Sequence, residues 1–211
     1  MRVKAVIFMK KLLKWTACFL LVPVFLGGIS LFRDRQTLNR DLVRLHVVGA
    51  SDSEEDQTVK LRVRDAVLEC VASLGNPQSI EEAKALLEAN LPAITEAANR
   101  ALDGLETATV TLCREVFPVR EYDTFSLPSG VYESLRVKIG EGSGRNWWCV
   151  VFPTLCIPTV GESVDSVAAG AGFSETLTEA ITAPETEVSF LLLDLLGKAE
   201  SFFFRFFGKN T

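Results

Sequence analysis

The sequence predicts an α+β domain: a mostly antiparallel sheet built in the order one strand, two helices, three strands, with the helices packed on one face. Three observations lead there. A short β-branched run, "LVRLHVV", comes first; two long segments with apolar residues at steps of three and four come next; three further strand-like runs close the domain between glycine-rich breaks. An N-terminal apolar segment and a C-terminal amphipathic helix flank it. A chain of 211 residues accommodates one core of good size plus such extensions.

The N-terminus opens "MRVKAVIFMKKLLK", then runs from Trp15 to Phe32 without a charge. A basic stretch before an apolar one keeps its lysines in the cytoplasm, and Gly28 and Ser30 are small residues at the spacing a signal peptidase reads. Residues 1–32 therefore read as a signal peptide or signal anchor, and the chain beyond them is expected to fold outside the cytoplasm. Those 32 residues hold five basic side chains and no acid, which leaves 17 basic against 27 acidic in the remainder. Nucleic acid is thus not an expected partner, because phosphate neutralisation needs a concentrated positive surface.

The first strand covers residues 42–48 and breaks at Gly49. Ser51, Asp52, Ser53, Glu54, Glu55 and Asp56 then supply hydroxyl and carboxylate caps and put acids at the positive end of a helix dipole. Val59, Val63, Ala66, Val67, Cys70, Val71 and Leu74 form its buried stripe, and Gly75-Asn76-Pro77 ends it. Ser79-Ile80-Glu81-Glu82 is a capping box for a second helix, with Ala83, Leu86, Leu87, Ile94, Ala97, Ala98, Ala101 and Leu102 inward; Pro92 should kink or restart it, and Asp103-Gly104 stops it. Residues 107–113 alternate as a half-buried strand, 127–130 turn, and 131–139 and 147–152 are two more strands joined by "GEGSGRN", whose composition is that of a hairpin loop. The domain spans residues 36–157. Residues 158–185 have linker composition, and in 186–211 the spacing of Asp194, Lys198, Ser201 and Arg205 draws a narrow polar stripe along an apolar helix. Such a helix should lie on a membrane surface, on a partner or on the domain itself.

Candidate chemistry is sparse. A phosphate loop needs glycines leading from a strand into a helix with Lys-Ser or Lys-Thr behind them; here they lead into another strand with Arg145-Asn146. His46, the single histidine, shares a strand face with Arg44 and reads first as a structural histidine; its enzymatic alternative is a thiol pair with Cys149. Lys60, Arg62 and Arg64 read as a solvated helix face or a docking patch. Cys70 belongs to a helix stripe and reads as a buried inert thiol, and no Cys-x-x-Cys spacing suggests a metal site. In "NWWCVVF" alternation sends Trp147 and Cys149 to one side and Trp148 and Val150 to the other, so the strand is either covered twice or presents one face to another protein. Cys149 and Cys156 can bridge if Pro153-Thr154 reverses the chain; two buried free thiols are the alternative.

Two long runs, "LVRLHVVGASDSEEDQTVKLRVRDAVLE" and "LPSGVYESLRVKIGEGSGRNWWCVVFPTLC", resemble the stage II sporulation protein R family. The order of elements between them fits, and the ending "TEVSFLLLDLL" resembles the family's amphipathic tail more weakly. The resemblance implies a secreted, non-enzymatic signal, exported across the forespore membrane into the intermembrane space, that activates the membrane-embedded aspartic peptidase processing pro-sigma-E in the mother cell. No cofactor, metal or small-molecule substrate is expected, and the amphipathic C-terminal helix adds a membrane surface as a further contact. His46, Asp52, Arg64, Arg136, Asn146, Trp147 and Trp148 lie within the two runs and are the candidate partner-binding residues. Ala50 departs from the family's usual asparagine in the turn after the first strand, so no role of that asparagine carries over.

Overall fold

A computed structural model describes residues 15, 16, 19, 29, 33, 36–38, 40–122, 125–153, 175–182 and 188–207. The strand read at 42–48 is β1 (Val43–Val48), and all six of its residues are buried. Side chains on a strand alternate, so Val43, Leu45 and Val47 enter one core while Arg44 and His46 enter the space on the other face. Full burial requires a central strand, and β1 is one. The sheet runs in the order β2 (Ala108–Phe117), β5 (Gly130–Ile139), β1, β6 (Asn146–Phe152). Pairing is antiparallel for β2–β5 and β1–β6 and parallel for β1–β5, giving the expected mostly antiparallel, mixed α+β sheet. A ribbon of β3 (Arg120–Glu121) and β4 (Ser126–Leu127), not expected from sequence, fills the connection from β2 to β5.

The first helical segment is α1 (Glu54–Ser73). Ser53 caps it, accepting from the Asp56 N–H at 3.1 Å, and Glu54, Glu55 and Asp56 occupy its first turn. The second, α2 (Ile80–Ala101), is capped by Ser79, which accepts from the Glu82 N–H, while the Glu82 carboxylate accepts from the backbone of Gln78. α2 continues through Pro92, so the proline does not restart the helix. Pro92 and Glu88 lie on the solvent face, so water can serve the carbonyl that loses its donor, while Leu87 and Ile94 bury on the other side. Asp103 (φ 51°) and Gly104 (φ 78°) turn the chain out of the helix. Asn99 then clamps the start of β2, accepting from the Ala108 N–H and donating to its carbonyl.

Two features correct the sequence reading. The "GEGSGRN" segment is not a hairpin: β5 and β6 are not neighbours, because β1 lies between them, and the loop passes over the end of β1. Glycine-rich composition reports a tight path and does not say which strands the path joins. The helices also cover both faces. α1 and α2 pack Val59, Val63, Val67, Leu87, Ile94 and Ala98 on the Leu45–Val47 side. The opposite core joins Leu42, Phe117, Leu127, Tyr132 and Val150 to Leu177 and Ile181 of α3 (Glu175–Thr182) and Leu193 of α4 (Val188–Phe207).

α3 forms inside the stretch read as a linker. α4 docks on the domain with half of the polar stripe inward: Asp194 and Ser201 are buried beside Phe190 and Leu193 while Lys198 and Arg205 stay exposed, and the Asp194 carboxylate accepts from the Ser129 N–H (3.0 Å) and hydroxyl (2.6 Å) while pairing with Lys198 at 2.8 Å. Burial opposes ionisation of Asp194, but the bonds from Lys198 and Ser129 outweigh it and hold the carboxyl below its ordinary range. Leu191, Leu195, Phe202, Phe203, Phe206 and Phe207 of α4 face outward, each 57–75% exposed. Most of the N-terminal segment read for export lies outside the described residues, and among the described residues no helix is long and apolar enough to cross a membrane.

Candidate functional site

The two turns that come after β1 and β5 lock together. Gly49 N–H donates to the Arg145 carbonyl, Gly144 N–H to Gly49, and Ser143 N–H and hydroxyl both to Ala50. Asp52 accepts from the Arg145 N–H at 2.6 Å. A Cβ on Gly144 would lie 2.1 Å from the Ser51 carbonyl oxygen, so the backbones touch where only glycine fits. Beneath them the buried Lys60 ammonium donates to Gln57 and to the Arg145 carbonyl. Burial, and next the Arg145 charge, push its pKa down. Asp52, a candidate for partner binding, thus latches the loop, and Lys60 serves the fold rather than a solvated helix face.

This lock fixes the start of β6 against β1 and assembles a polar cluster on the second sheet face. His46 Nδ1 lies 3.0 Å from both Glu115 carboxylate oxygens, and Nε2 lies 2.9 Å from Asn146 Oδ1. The Ser134 hydroxyl donates to Glu115 at 2.6 Å, and Arg136 Nε stands 3.9 Å from it. Burial raises the cost of charging Glu115; the hydrogen bonds from His46 and Ser134, with the His46 and Arg136 charges, overcome this and hold it below its ordinary value. Trp148 stacks on the His46 ring at 3.8 Å and 14° and meets Phe117 edge-on at 4.7 Å. Arg44, fully buried, lies 4.3 Å from the Phe117 centroid and donates to the Tyr122 hydroxyl at 2.7 Å.

Of the residues singled out from sequence, His46, Asn146, Arg136 and Trp148 meet in this cluster. Trp147 and Arg64 meet separately at the edge of β6: the guanidinium sits 4.4 Å over the indole, and Trp147 stays 37% exposed. Cys149 and Val150 are core, as the covered reading of the tryptophan strand expects, while Trp147 stays partly exposed. Glu115, Ser134 and Arg120, whose guanidinium lies 5.4 Å from the Trp148 ring, escaped sequence reasoning because register alone brings them here. Arg44 could have been found, since alternation puts it on the His46 face.

The thiol pair is excluded. Cys149 packs with the α1–α2 core and His46 with Trp148 on the other face, so the sheet itself separates them. Cys156 lies outside the described residues, and so does the bridge expected from Cys149. Cys70 and Cys113 are free thiols; both are partly exposed, so Cys70 is less buried than its stripe suggested. Burial, and next the Glu115 charge, push the Cys113 pKa up, which disfavours its thiolate form.

A family model described as Stage II sporulation protein R matches residues 39–162. Stage II sporulation protein R of Bacillus subtilis (strain 168) is 36% identical over 118 residues, a region covering 54% of this chain and 53% of that protein, so the chain spans about half the length of the curated relative it matches. No solved structure matches.

Proposed function

This chain belongs to the stage II sporulation protein R family, and on that premise we propose that it is an exported sporulation signal that binds and activates the membrane-embedded aspartic peptidase processing pro-sigma-E. The observation that carries the reading is spatial. The two sequence runs that mark the family, β1 with α1 and β5 with β6, fold into one surface through the lock between residues 49–52 and 143–145. That surface displays an aromatic, an arginine and a polar cluster rather than a nucleophile with its base. Export by residues 1–32 delivers the domain to the intermembrane space. The outward leucines and phenylalanines of α4 supply a contact for the membrane surface near the peptidase, and a Cys149–Cys156 bridge holds the end of β6.

The test is pro-sigma-E processing in sporulating cells that produce the exported chain. Trp147→Ala and Arg64→Ala change a pair at the sheet edge, Trp147 37% exposed and the Arg64 side chain 20%, whose stacking contributes about 1 kcal/mol to stability, so both proteins should accumulate normally. Processing should fall at least tenfold, with loss of peptidase co-purification. Normal processing by the double variant would move the docking surface elsewhere.

A further inference from the structure

On the second sheet face five buried nitrogens, Arg44 Nε and Nη1, Arg120 Nε, Arg136 Nε and Trp148 Nε1, have no hydrogen-bond acceptor among the described residues. They are not scattered. Arg44 stacks on Phe117, Phe117 meets Trp148, Trp148 carries Arg120, and Arg136 stands behind Glu115 in the register row of His46. Glu115 is the carboxylate that the described contacts place among them, and His46 and Ser134 already occupy its oxygens. Among the described contacts Arg136 approaches that carboxylate, at 3.9 Å, while Arg120 lies over the Trp148 ring and Arg44, fully buried, lies on Phe117.

Buried polar groups in folded proteins have partners, and a cluster of one kind of orphan beside an open face is a place where water or an acceptor from another molecule can supply them. The lower part of the face is closed by Leu177, Ile181 and Leu193 of the C-terminal helices. The upper part is open, with Asn146 exposed and the Arg136 side chain 43% exposed.

We propose that this open upper part is a carboxylate-binding site, taking an aspartate or glutamate side chain from an acidic segment of the protein partner between Arg120, Arg136 and the Trp148 indole. It rests on the reading above that the chain binds a protein, and it supplies that partner's chemistry. Guanidinium forks match the two oxygens of a carboxylate. The aromatic wall of Trp148 favours a monoanion over a phosphate dianion, which costs more to desolvate. The cluster is also locally cationic on a domain whose acids outnumber its bases, so an acidic segment is steered here and repelled elsewhere.

The test uses the full chain in uncharged detergent, ¹⁵N-labelled at tryptophan, titrated with capped hexaglutamate at fixed ionic strength. The Trp148 indole N–H resonance, assigned with Trp148→Phe, should move downfield saturably while that of Trp147 does not. Capped hexaglutamine should leave it in place. Arg120→Gln with Arg136→Gln should weaken binding at least tenfold and leave thermal stability unchanged or higher, because both changes remove orphan donors. If the pair fails to fold, Arg120→Gln alone should still weaken binding severalfold. The inference is overturned if no saturable shift occurs, if inorganic phosphate at equal charge produces the same shift, or if the variants bind as the parent does. Processing in cells separates the two readings. A chain that stimulates processing yet ignores hexaglutamate sinks the carboxylate site alone, whereas one that binds hexaglutamate and never stimulates processing upholds the site and sinks the peptidase assignment.

Discussion

Replacing Gly144 by alanine should cost about 3 kcal/mol, and the structure says where each part goes. The new methyl carbon would lie 2.1 Å from the Ser51 carbonyl oxygen, 2.5 Å from its carbon and 3.0 Å from the Gly49 oxygen, all backbone atoms. Ordinary contact begins near 3.4 Å, so the two turns must separate by more than an ångström. Separation at that scale breaks the Gly144–Gly49 bond (2.9 Å), the Ser143–Ala50 bond (3.2 Å) and the Arg145–Asp52 bond (2.6 Å). At about 1 kcal/mol net for each, the loss is about 3 kcal/mol, a large share of the ~5–15 kcal/mol typical of a domain. Urea unfolding at unchanged slope should show the midpoint falling by about 1–2 M. Gly142→Ala is the control. Unlike Gly144 it has a positive φ, 65°, and its methyl meets the flexible Lys138 side chain, so strain of about 1–2 kcal/mol is its main cost. A midpoint for Gly144→Ala no lower than that of Gly142→Ala would refute the lock as the element holding β6 in place.

The same contacts set three further outcomes. Glu115 has a folded-state pKa below its ordinary 4.5, so it adds stability above that value that is lost as the pH falls through the folded pKa; acid unfolding of Glu115→Gln should show a shallower decline in this window. Asp194→Ala removes the acceptor for both Ser129 donors and the partner of Lys198, loosening α4 by about 2 kcal/mol; limited proteolysis should cut the C-terminal helix from the domain faster, and an unchanged rate would show that Phe190 and Leu193 alone hold it. In oxidised, unfolded protein lacking residues 1–32, thiol labelling should mark Cys70 and Cys113 and spare Cys149 and Cys156; four labelled cysteines would exclude the bridge.

Local rules made much of this fold legible. Ser53 and Ser79 cap where their sequence context says they should, and Val59, Val63 and Val67 bury at the spacing of one helical face. Non-local choices were not legible. Nothing in "GEGSGRN" reveals that β1 inserts between the strands it joins, and nothing near Glu115 points to a histidine 69 positions away. The stripe on α4 was visible as a stripe, but its direction depended on Ser129 offering two donors where Asp194 could accept them. His46 and Trp148 were recognisable as special because the first is the single histidine and the second half of an unusual pair. Their meeting came from register.

The central position of β1 also dictates an order of events as the chain is made. Its first residue pairs with Glu133 on one side and Phe152 on the other, about 90 and 110 positions downstream. The earliest strand to emerge is thus the last to find neighbours, and until β5 and β6 arrive its buried valines and leucines must be shielded by other means. Long-range pairing of this kind is slow and leaves sticky edges exposed in the interim. A chain cut short before residue 146 keeps α1 and α2, yet one side of β1 stays permanently unpaired. Nascent fragments of this protein should therefore depend on chaperones until nearly three-quarters of the sequence has appeared.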